Sequence, residues 1–506
     1  MTQDTDISGT TDRLSTACTP EAPAATSTPA APEAPAPRPA LEDLYENFTR
    51  GNTIDPRHYE RSNVKRGLRN SDGTGVMAGV TRICNVHGYV VDEGDQFPCE
   101  GELTLRGYAI GDLVDAAVAE NRFGYEELAY LLLAGSLPDR DQLARFNEVL
   151  GSYRDLPKNF VNGHILTAPA DDVMNMLGRS VLQLYGADPT PNDTSARHEV
   201  DTALSLIARM PRIAVLSYYS IQQYYRGTDM IWHHPRPELS TAETILDMLR
   251  PDHSFRPEEA RMLDILLMLQ AEHGGGNNST FTCRVLTSSG TDAYSAYAGA
   301  IGSLKGPKHG GANGKVREMC LDIEANVQDW TDEGQVADYL RKIVRKEAGD
   351  RSGLIYGMGH AVYTLSDPRA KICHRYAAQL AKGTEFEREL VLLELIERLT
   401  GQIMREERGT TKVLCANVDL YSGFVYNMLG IPQALYTPMF ATARIAGWAA
   451  HRFEELVSGK RIIRPAYKSV TRRCAYVPMD ERAHGAEPRD GEIIVQSLSD
   501  ADAIGD

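Results

Sequence analysis

The sequence predicts an all-α protein, and two observations support that fold class. Beyond Gly107, apolar residues recur at three-and-four spacing in one segment after another, which is the period of an amphipathic helix. No run of strands alternates with these segments, so a parallel-sheet α/β fold is disfavoured. The length of 506 residues suggests two or more domains and leaves ample volume for a buried site.

The N-terminal part of the chain differs in composition from the rest. Residues 1–40 are rich in Ala, Pro, Thr, Ser and Glu and contain almost no large apolar residue, so we predict a disordered tail there. From Leu41 to about Arg106 the sequence is irregular, and short β-prone runs at 80–84 and 89–91 predict a small β-hairpin. The run 73–78 satisfies G-x-G-x-x-G/A, but the residues before it are polar and cannot form the buried strand of a dinucleotide site. We interpret it as a loop.

Helical periodicity covers most of the remaining chain. The predicted helices are, in order, 125–134, 171–185, 198–225, 241–249, 257–273, 292–304, 336–347, 386–405 and 435–457. Pro211 lies inside the third of them and is expected to kink or break it. Further helices are expected to start near Asn313, after Asp367 and after Asn417.

Composition excludes several classes of function. The formal net charge is -16 and no Lys/Arg run is present, which argues against nucleic-acid binding. The eight cysteines have no CxxC spacing, which argues against a zinc ribbon or a disulfide framework and for a reducing compartment. No apolar run approaches the ~20 residues of a membrane helix, and the start lacks a signal-peptide pattern. We therefore predict a cytoplasmic protein with no membrane partner.

A glycine-rich loop carries the first candidate residue. In Gly306-Pro307-Lys308-His309-Gly310-Gly311, a single histidine lies between two helical patterns. Glycine lets the backbone approach a ligand, and the free N–H groups ahead of the next helix can face an acyl oxygen or a phosphate. His309 is therefore a candidate for substrate contact. The alternative is a helix-capping turn with an incidental histidine.

A second histidine, His273, follows a helical pattern and precedes three glycines, so it is expected to project from a helix end. The run His-Gly-Gly-Gly resembles the oxyanion loop of some lipases. The chain has no G-x-S-x-G nucleophile elbow, however, which argues against a hydrolase. Taken alone, His273 is more often a capping residue.

A third histidine, His360, also follows glycines, and Asp367-Pro368-Arg369 comes shortly after it. Asp367 can cap a helix with Pro368 at its first position, which places Arg369 in the first turn. This spacing presents an imidazole and a guanidinium to one small volume. Ordinary capping with a solvated Arg369 is the alternative.

The remaining candidates are charged. Asn417 can cap a helix whose first turn contains Asp419, where an acid also has a plain structural role. Arg444 lies among apolar residues, so we expect it to meet a carboxylate of the protein or of a ligand. Arg464 precedes Pro465 far downstream. Three histidines on glycine-rich turns, one acid and three arginines fit a site that forms a carbon–carbon bond on a dicarboxylic keto acid.

Together these segments resemble the citrate synthase family. The matching segments occur in family order between about residues 45 and 470, and they are His273-Gly-Gly-Gly-Asn-Asn-Ser, Gly306-Pro-Lys-His-Gly-Gly-Ala-Asn, Gly357-Met-Gly-His-Ala-Val, Asp367-Pro-Arg-Ala, Asn417-Val-Asp-Leu-Tyr-Ser-Gly and Arg464-Pro. The resemblance implies a two-domain helical fold with a large domain over 41–310 and 431–480, an inserted small domain over 311–430, and a polar C-terminal tail over 481–506. It also implies a cleft that closes and excludes water.

The resemblance further implies catalytic roles by motif match. Asp419 would remove a methyl proton from the acyl-CoA, and His309 would hydrogen-bond the thioester oxygen. His360 would polarise the carbonyl of oxaloacetate. Hydrolysis of the CoA thioester would then give citrate, with acetyl-CoA as co-substrate, no tightly bound cofactor and no metal.

Substrate binding and assembly follow from the same resemblance. The residues that would hold the carboxylates of oxaloacetate are His273, Arg369, Arg444 and Arg464, since guanidinium groups supply planar, charge-assisted bonds. The family forms a two-fold homodimer whose site borrows an arginine from the other subunit, and Arg464 matches that donor. A higher oligomer is compatible with the same sequence.

The sequence departs from the family pattern at a few positions. Gln270 stands where many bacterial members have histidine, and Lys308 stands where an apolar residue is common. The segment 364–366 lacks the basic residues that often reach CoA phosphates, so the CoA contacts are unassigned. One alternative function is 2-methylcitrate synthase with propionyl-CoA, because one methylene supplies only ~1 to 3 kcal/mol of discrimination. Another is a non-catalytic relative that binds a polycarboxylate or CoA, against which the presence of the three catalytic residues argues.

Overall fold

The computed structural model confirms the all-α class. It describes residues 46, 48–50, 52–70, 73–93, 95–410, 413–471 and 475–482. The predicted tail 1–40 and residues 483–506 of the predicted C-terminal tail lie outside the described residues. The chain divides into two compact units, 55–470 and 1–54 with 471–506. In the second unit the described residues include helical ones between 46 and 52 and the 3-10 helix Met479–Glu481.

The candidate site residues all lie in the unit 55–470, which is built mainly from helices. The α-helices of this unit are α1 Arg57–Arg61, α2 Ile110–Ala119, α3 Tyr125–Ala134, α4 Arg140–Tyr153, α5 Val173–Leu184, α6 Ala196–Arg226, α7 Thr241–Leu249, α8 Pro257–Gln270, α9 Asn278–Ser288, α10 Ala293–Lys305, α11 Ala312–Asn326, α12 Glu333–Val344, α13 Pro368–Ala381, α14 Glu387–Arg408, α15 Val418–Met428 and α16 Tyr436–Ser458. Short 3-10 helices span Arg66–Leu68, Tyr185–Ala187 and Gln433–Leu435, and a π-helical turn spans Val161–Ile165.

The predicted hairpin is present and is longer than expected. Strands β1 Cys84–Asp92 and β2 Asp95–Leu105 pair antiparallel, and β3 Tyr108–Ala109 pairs with the end of β2. The predicted run 80–84 lies almost wholly before β1, and Val80 is 92% exposed. The start of β2 is polar and shows no alternation of apolar residues that could have been detected in the sequence. It belongs to the sheet because its backbone pairs with β1.

The strongly periodic helices agree closely with their predicted bounds, and α3 and α7 match them residue for residue. Helix α6 continues through Pro211 without a break, and the kink that was the other half of that expectation stays a prediction. Pro211 and its neighbours are buried, and packing of α6 on α4, α5, α7 and α16 stabilises the helix despite the lost backbone hydrogen bond. Helices α1, α2, α4 and α9 were not predicted. In α4 only Phe146, Leu150 and Gly151 are buried, which leaves a faint periodic signal.

Helix α16 organises the interior of this unit. Its residues are buried almost continuously from Tyr436 to Arg452, and it packs against α3, α6, α8, α9 and α10. A helix that is enclosed on all sides can place polar groups only where another element or a ligand meets them. Arg444 and His451 are two such groups on α16.

The remaining predictions concern the domain boundaries, the cysteines and membrane-spanning helices. The boundaries at 310 and 431 between a large and a small domain stay a prediction. The described cysteines, which are Cys84, Cys99, Cys283, Cys320, Cys373 and Cys415, are free thiols. Among the described residues, no helix combines the length and the apolar character needed to cross a bilayer.

Candidate active site

A cavity of about 450 Å³ collects most of the candidate residues. Its lining includes His273, His309, His360, Arg369, Asp419 and Arg444. Arg464 is not part of this lining. It is exposed in the extended segment that follows α16. The fold therefore brings together side chains from six separate segments of one chain and leaves one predicted arginine outside.

Two helix starts carry functional side chains into the cavity, as the capping patterns predicted. Asp367 caps α13 by accepting the N–H of Arg369 at 2.9 Å. Asn417 caps α15 by accepting the N–H of Asp419 at 3.0 Å. A cap fixes the direction of the first turn, so Arg369 and Asp419 are aimed by backbone geometry rather than by loops.

The loop with His360 is tied to the segment that leads into α15. The N–H of Gly359 donates to the carbonyl of Cys415 at 2.7 Å, and the N–H of Asn417 donates to the carbonyl of Gly357 at 2.9 Å. Gly357 has φ +81°, and a Cβ there would lie 3.0 Å from the Cα of Leu420. Only glycine fits this close approach without strain. The turn therefore fixes His360 relative to Asp419.

Asp419 has the properties of a general base. Its Oδ1 atom is buried and has no hydrogen-bond partner among the described residues. Burial raises the pKa of Asp419 to about 6, although the nearby Arg369 and Arg444 guanidinium groups act to lower it. A carboxylate with a pKa near the working pH is matched to the abstraction of a proton.

His309 is held through one ring nitrogen. Its Nε2 lies 3.1 Å from Oδ1 of Asn277 and 3.1 Å from Oγ of Ser279. Trp448 on α16 donates its indole N–H to the same Ser279 oxygen at 3.2 Å. The backbone N–H of Ser279 donates to Nε2 at 3.4 Å, so Nε2 is an acceptor and the hydrogen of the neutral ring lies on Nδ1, the nitrogen left to a ligand. Burial, with the positive charge of Arg444, lowers the pKa of His309 to about 4, so the ring is neutral at pH 7.

The tautomer of His360 follows from its backbone contacts. Its Nδ1 accepts the N–H groups of Val362 and Tyr363, each at 3.0 Å. The ring hydrogen must therefore be on Nε2, which becomes a hydrogen-bond donor. The ring also stacks on Tyr363, with 4.6 Å between centroids and 28° between planes. This arrangement supplies a rigid, oriented N–H group at the cavity.

His273 stands next to His360. The two ring centroids are 5.1 Å apart at an angle of 85°, and Nε2 of His273 lies 3.2 Å from the Tyr363 hydroxyl. Burial, together with the positive charge of Arg369, lowers the pKa of His273 well below its usual range. It is therefore neutral. The helix before it, α8, ends at Gln270 and not at His273 as predicted, because the chain turns before the glycines are reached.

The two candidate arginines in the cavity, Arg369 and Arg444, differ in their partners. Arg369 donates from Nε and from NH2 to the two oxygens of Asp367, at 3.0 and 2.7 Å. Arg444 donates from Nε to the carbonyl of Gln270 at 2.7 Å and lies over the Phe440 ring, 4.7 Å from its centroid. Its NH1 and NH2 are buried and have no hydrogen-bond partner among the described residues. Arg444 therefore retains charge-assisted donors that can bind a carboxylate.

Several residues of the site were not singled out from the sequence. Asn277 and Ser279 lie within the quoted glycine-rich segment, but only the fold shows that they hold His309. Arg69 and Lys308 line the cavity and add two cations to those already there. A cavity with several cations and one carboxylate, Asp419, is suited to an anionic ligand.

Comparison with known proteins shows which family the chain resembles. A family model described as "Citrate synthase, C-terminal domain" matches residues 71–466. The citrate synthase of Acidithiobacillus ferridurans is 36% identical over 81% of this chain and 97% of its own length. A 2-methylcitrate synthase of Corynebacterium glutamicum is 32% identical over 80% of this chain and 94% of its own. A solved ternary complex of citrate synthase from Thermoplasma acidophilum with carboxymethyl coenzyme A and oxaloacetate has a TM-score of 0.65 and 26% identity, and it covers 83% of this chain and 99% of its own.

Proposed function

The chain belongs to the citrate synthase family, and from that premise we propose that it condenses acetyl-CoA with oxaloacetate and water to give citrate and CoA. It is an enzyme of the class that converts acyl groups into alkyl groups on transfer. The observation that carries the proposal is the convergence of Asp419, His309 and His360 on one cavity. The same cavity contains NH1 and NH2 of Arg444, for which the described part of the chain offers no hydrogen-bond partner. The solved relative with oxaloacetate and a CoA analogue supports the choice of substrates.

In the first step, Asp419 takes a proton from the methyl carbon of acetyl-CoA. The electron pair of the broken C–H bond moves toward the thioester carbonyl, whose oxygen accepts a hydrogen bond from His309. Oδ1 of Asp419 has no hydrogen-bond partner within the described ranges of the chain, which supports its role as the base, and the lowered pKa of His309 supports a neutral donor. A neutral His309 avoids the burial of a second charge beside the carboxylate of Asp419.

In the second step, the methylene carbon attacks the ketone carbon of oxaloacetate. The carbonyl electrons move to the oxygen, where the Nε2 hydrogen of His360 stabilises them. Uptake of a proton by that oxygen gives citryl-CoA. His273, Arg369 and Arg444 bind the carboxylates of oxaloacetate, and the cluster of positive charge around the cavity supports this assignment.

In the last step, water attacks the thioester carbon, the C–S bond breaks and the sulfur leaves as CoA after taking a proton. Acetyl-CoA is thus a co-substrate, and no tightly bound cofactor takes part. Closure of the cleft between the large domain (41–310 and 431–480) and the small domain (311–430) excludes bulk water until citryl-CoA has formed. The enzyme acts in the cytoplasm in this proposal.

A second candidate is the condensation of propionyl-CoA to 2-methylcitrate. The observation that favours this second candidate is the similarity to a 2-methylcitrate synthase, which is 32% identical over 409 residues. A single extra methylene changes binding by only ~1 to 3 kcal/mol, so the same machinery serves both reactions. Competition between the two acyl-CoAs, with the products identified by mass spectrometry, decides which is preferred.

The proposal also includes a two-fold homodimer. Arg464 of each chain would reach the site of the other chain, and its exposed position outside the cavity supports this arrangement.

The basic test measures CoA release with a thiol reagent in the presence of each acyl-CoA, with and without oxaloacetate. Oxaloacetate-dependent release of CoA is the expected result. Calorimetric binding of oxaloacetate without any CoA release would instead identify a non-catalytic relative that binds a polycarboxylate.

A further inference from the structure

Behind the cavity, two opposite charges are buried near each other without forming an ion pair. Oε2 of Glu272 and NH1 and NH2 of Arg444 are buried and lack hydrogen-bond partners among the described residues. The two charges interact, since the charge of Glu272 acts to raise the pKa of Arg444. Burial acts in the opposite direction and is the larger effect, so the pKa of Arg444 is lowered to about 10. Such groups normally pair when nothing prevents it, because an unpaired buried charge is costly. The separation therefore requires a restraint.

The restraint is visible at the other oxygen of Glu272. Its Oε1 accepts hydrogen bonds from Nε2 of His451 at 2.9 Å, from the N–H of Gly274 at 2.5 Å and from the thiol of Cys84 at 3.2 Å. These donors come from α16, from the turn after α8 and from β1. Three donors on one oxygen hold the carboxylate away from the cavity.

His451 is itself fixed by an arginine. Nε and NH2 of Arg284 point at Nδ1 of His451, at 3.0 and 2.7 Å, and Arg284 also pairs with Glu454 and with Glu455. Because Nδ1 accepts these bonds, the ring hydrogen lies on Nε2 and points at Glu272. Cys84, Glu272 and His451 have ligand atoms within 4.8 Å of one another, but a metal ion would need the lone pair of Nε2. The group is therefore a hydrogen-bond relay and not a metal site.

The helix geometry explains how the relay reaches the cavity. Arg444, Gly447 and His451 are three and four residues apart on α16, so they share one face. A Cβ on Gly447 would lie 2.2 Å from Oε2 of Glu272 and 2.4 Å from the carbonyl oxygen of Ala271. The absent side chain makes room for Glu272 between the arginine and the histidine.

We propose that His451, oriented by Arg284, is a positioning residue that holds Glu272 back from Arg444, so that NH1 and NH2 of Arg444 stay free for a substrate carboxylate. The inference rests on the proposed function, in which oxaloacetate supplies that carboxylate. Without His451, the carboxylate of Glu272 turns to Arg444 and competes with the substrate. The contacts of His451 with Glu272 therefore affect the affinity for oxaloacetate and not the rates of the chemical steps.

The test replaces His451 and then removes the competitor. His451→Leu is expected to raise the KM for oxaloacetate about tenfold, the loss of one charge-assisted hydrogen bond, while kcat and the KM for acetyl-CoA change less than about twofold. His451→Gln keeps an N–H donor and should stay close to wild type. The double variant His451→Leu/Glu272→Gln should recover most of the oxaloacetate affinity, because no charged competitor remains.

A matched control separates this effect from general loss of stability. Glu199→Gln breaks an equally buried ion pair that joins Glu199 on α6 to Arg452 on α16, away from the cavity. It should lower the unfolding temperature without changing either KM. If His451→Leu does not fold, Arg284→Leu releases the ring of His451 and should give the same rise in KM.

The outcomes distinguish the two proposals. A wild-type enzyme that releases no CoA contradicts the proposed function, and calorimetric titration of oxaloacetate into the same variants then tests the relay by affinity alone. An active wild-type enzyme with an unchanged oxaloacetate KM in folded His451→Leu overturns the relay. A double variant that is no better than the single variant overturns it as well.

Discussion

Asn417 donates a hydrogen bond from its side-chain nitrogen to the carbonyl oxygen of Gly359 at 3.0 Å, while its side-chain oxygen accepts the N–H of Asp419 at 3.0 Å. One amide therefore joins the proposed base to the loop of His360. In the proposed reaction, these two residues act on different substrates that must meet at bonding distance. Because proximity and orientation contribute a large part of catalysis, a link of this kind has kinetic consequences.

The first prediction concerns this link. Asn417→Ala removes both hydrogen bonds and is expected to lower kcat about tenfold or more and to destabilise the fold by about 1 kcal/mol through loss of the cap. Asn417→Asp is the matched variant, because it retains the capping oxygen and loses only the donor to Gly359. It should keep the stability and still lower kcat. Steady-state kinetics with thermal unfolding checks both, and equal kcat values for Asn417→Asp and wild type would contradict the link.

The second prediction separates binding from chemistry. Asp419→Asn and His309→Ala are expected to lower kcat by about a hundredfold or more, because the base and the enolate donor act on the acyl-CoA. Oxaloacetate affinity, measured by calorimetry, should survive in both. Arg444→Leu is the converse control and should weaken oxaloacetate binding. Near-normal turnover in Asp419→Asn would disprove the assignment of the base.

The third prediction is a pH profile. Burial raises the pKa of Asp419 from its usual value of 3.8 to about 6, so the base becomes protonated and inactive below about pH 6. The kcat/KM for acetyl-CoA should therefore fall as the pH is lowered through 6, with a slope of one. His309 does not contribute to this limb, because its pKa is lowered to about 4. A decline that begins only near pH 4 would mean that burial does not raise the pKa of Asp419 in the free enzyme.

The fourth prediction tests the turn before His360. Gly357→Ala combines a positive φ of +81° with a Cβ 3.0 Å from the Cα of Leu420, so it should cost about 1–3 kcal/mol of stability and displace His360. Gly383→Ala is the control, because Gly383 has φ +75° and nothing within 4 Å of the added Cβ. It should cost some stability and leave kcat unchanged. If the two variants have the same kcat, the close approach at Leu420 does not position His360.

The sequence was informative where a pattern is local. Capping by Asp367 and Asn417 depends on residues two positions apart, and α3 and α7 have a strong apolar period, so all four features were predictable. The glycine-rich turns likewise marked their three histidines. Each of these signals lies within one short segment of the chain.

The relay behind Arg444 was not predictable for the opposite reason. His451 and Glu272 are 179 residues apart, and nothing near His451 in the sequence distinguishes it from an ordinary helix residue. Arg444 was expected to meet a carboxylate of the protein or of a ligand, and among the described residues it pairs with none because Glu272 is held elsewhere. Pairings of this kind depend on tertiary packing, as does the continuity of α6 through Pro211.

The last prediction tests the dimer and Arg464, which lies outside the cavity of its own chain. If each site combines Asp419 of one chain with Arg464 of the other, the variants Asp419→Asn and Arg464→Ala are each inactive alone. Co-expressed chains that assemble at random form mixed dimers as half of the population. One site of a mixed dimer then contains both substitutions, and its other site is wild type. The pool should therefore recover about a quarter of the wild-type activity under two-fold assembly. Differently tagged chains verify that mixed dimers have formed, and verified mixed dimers without activity would mean that Arg464 does not serve the other chain.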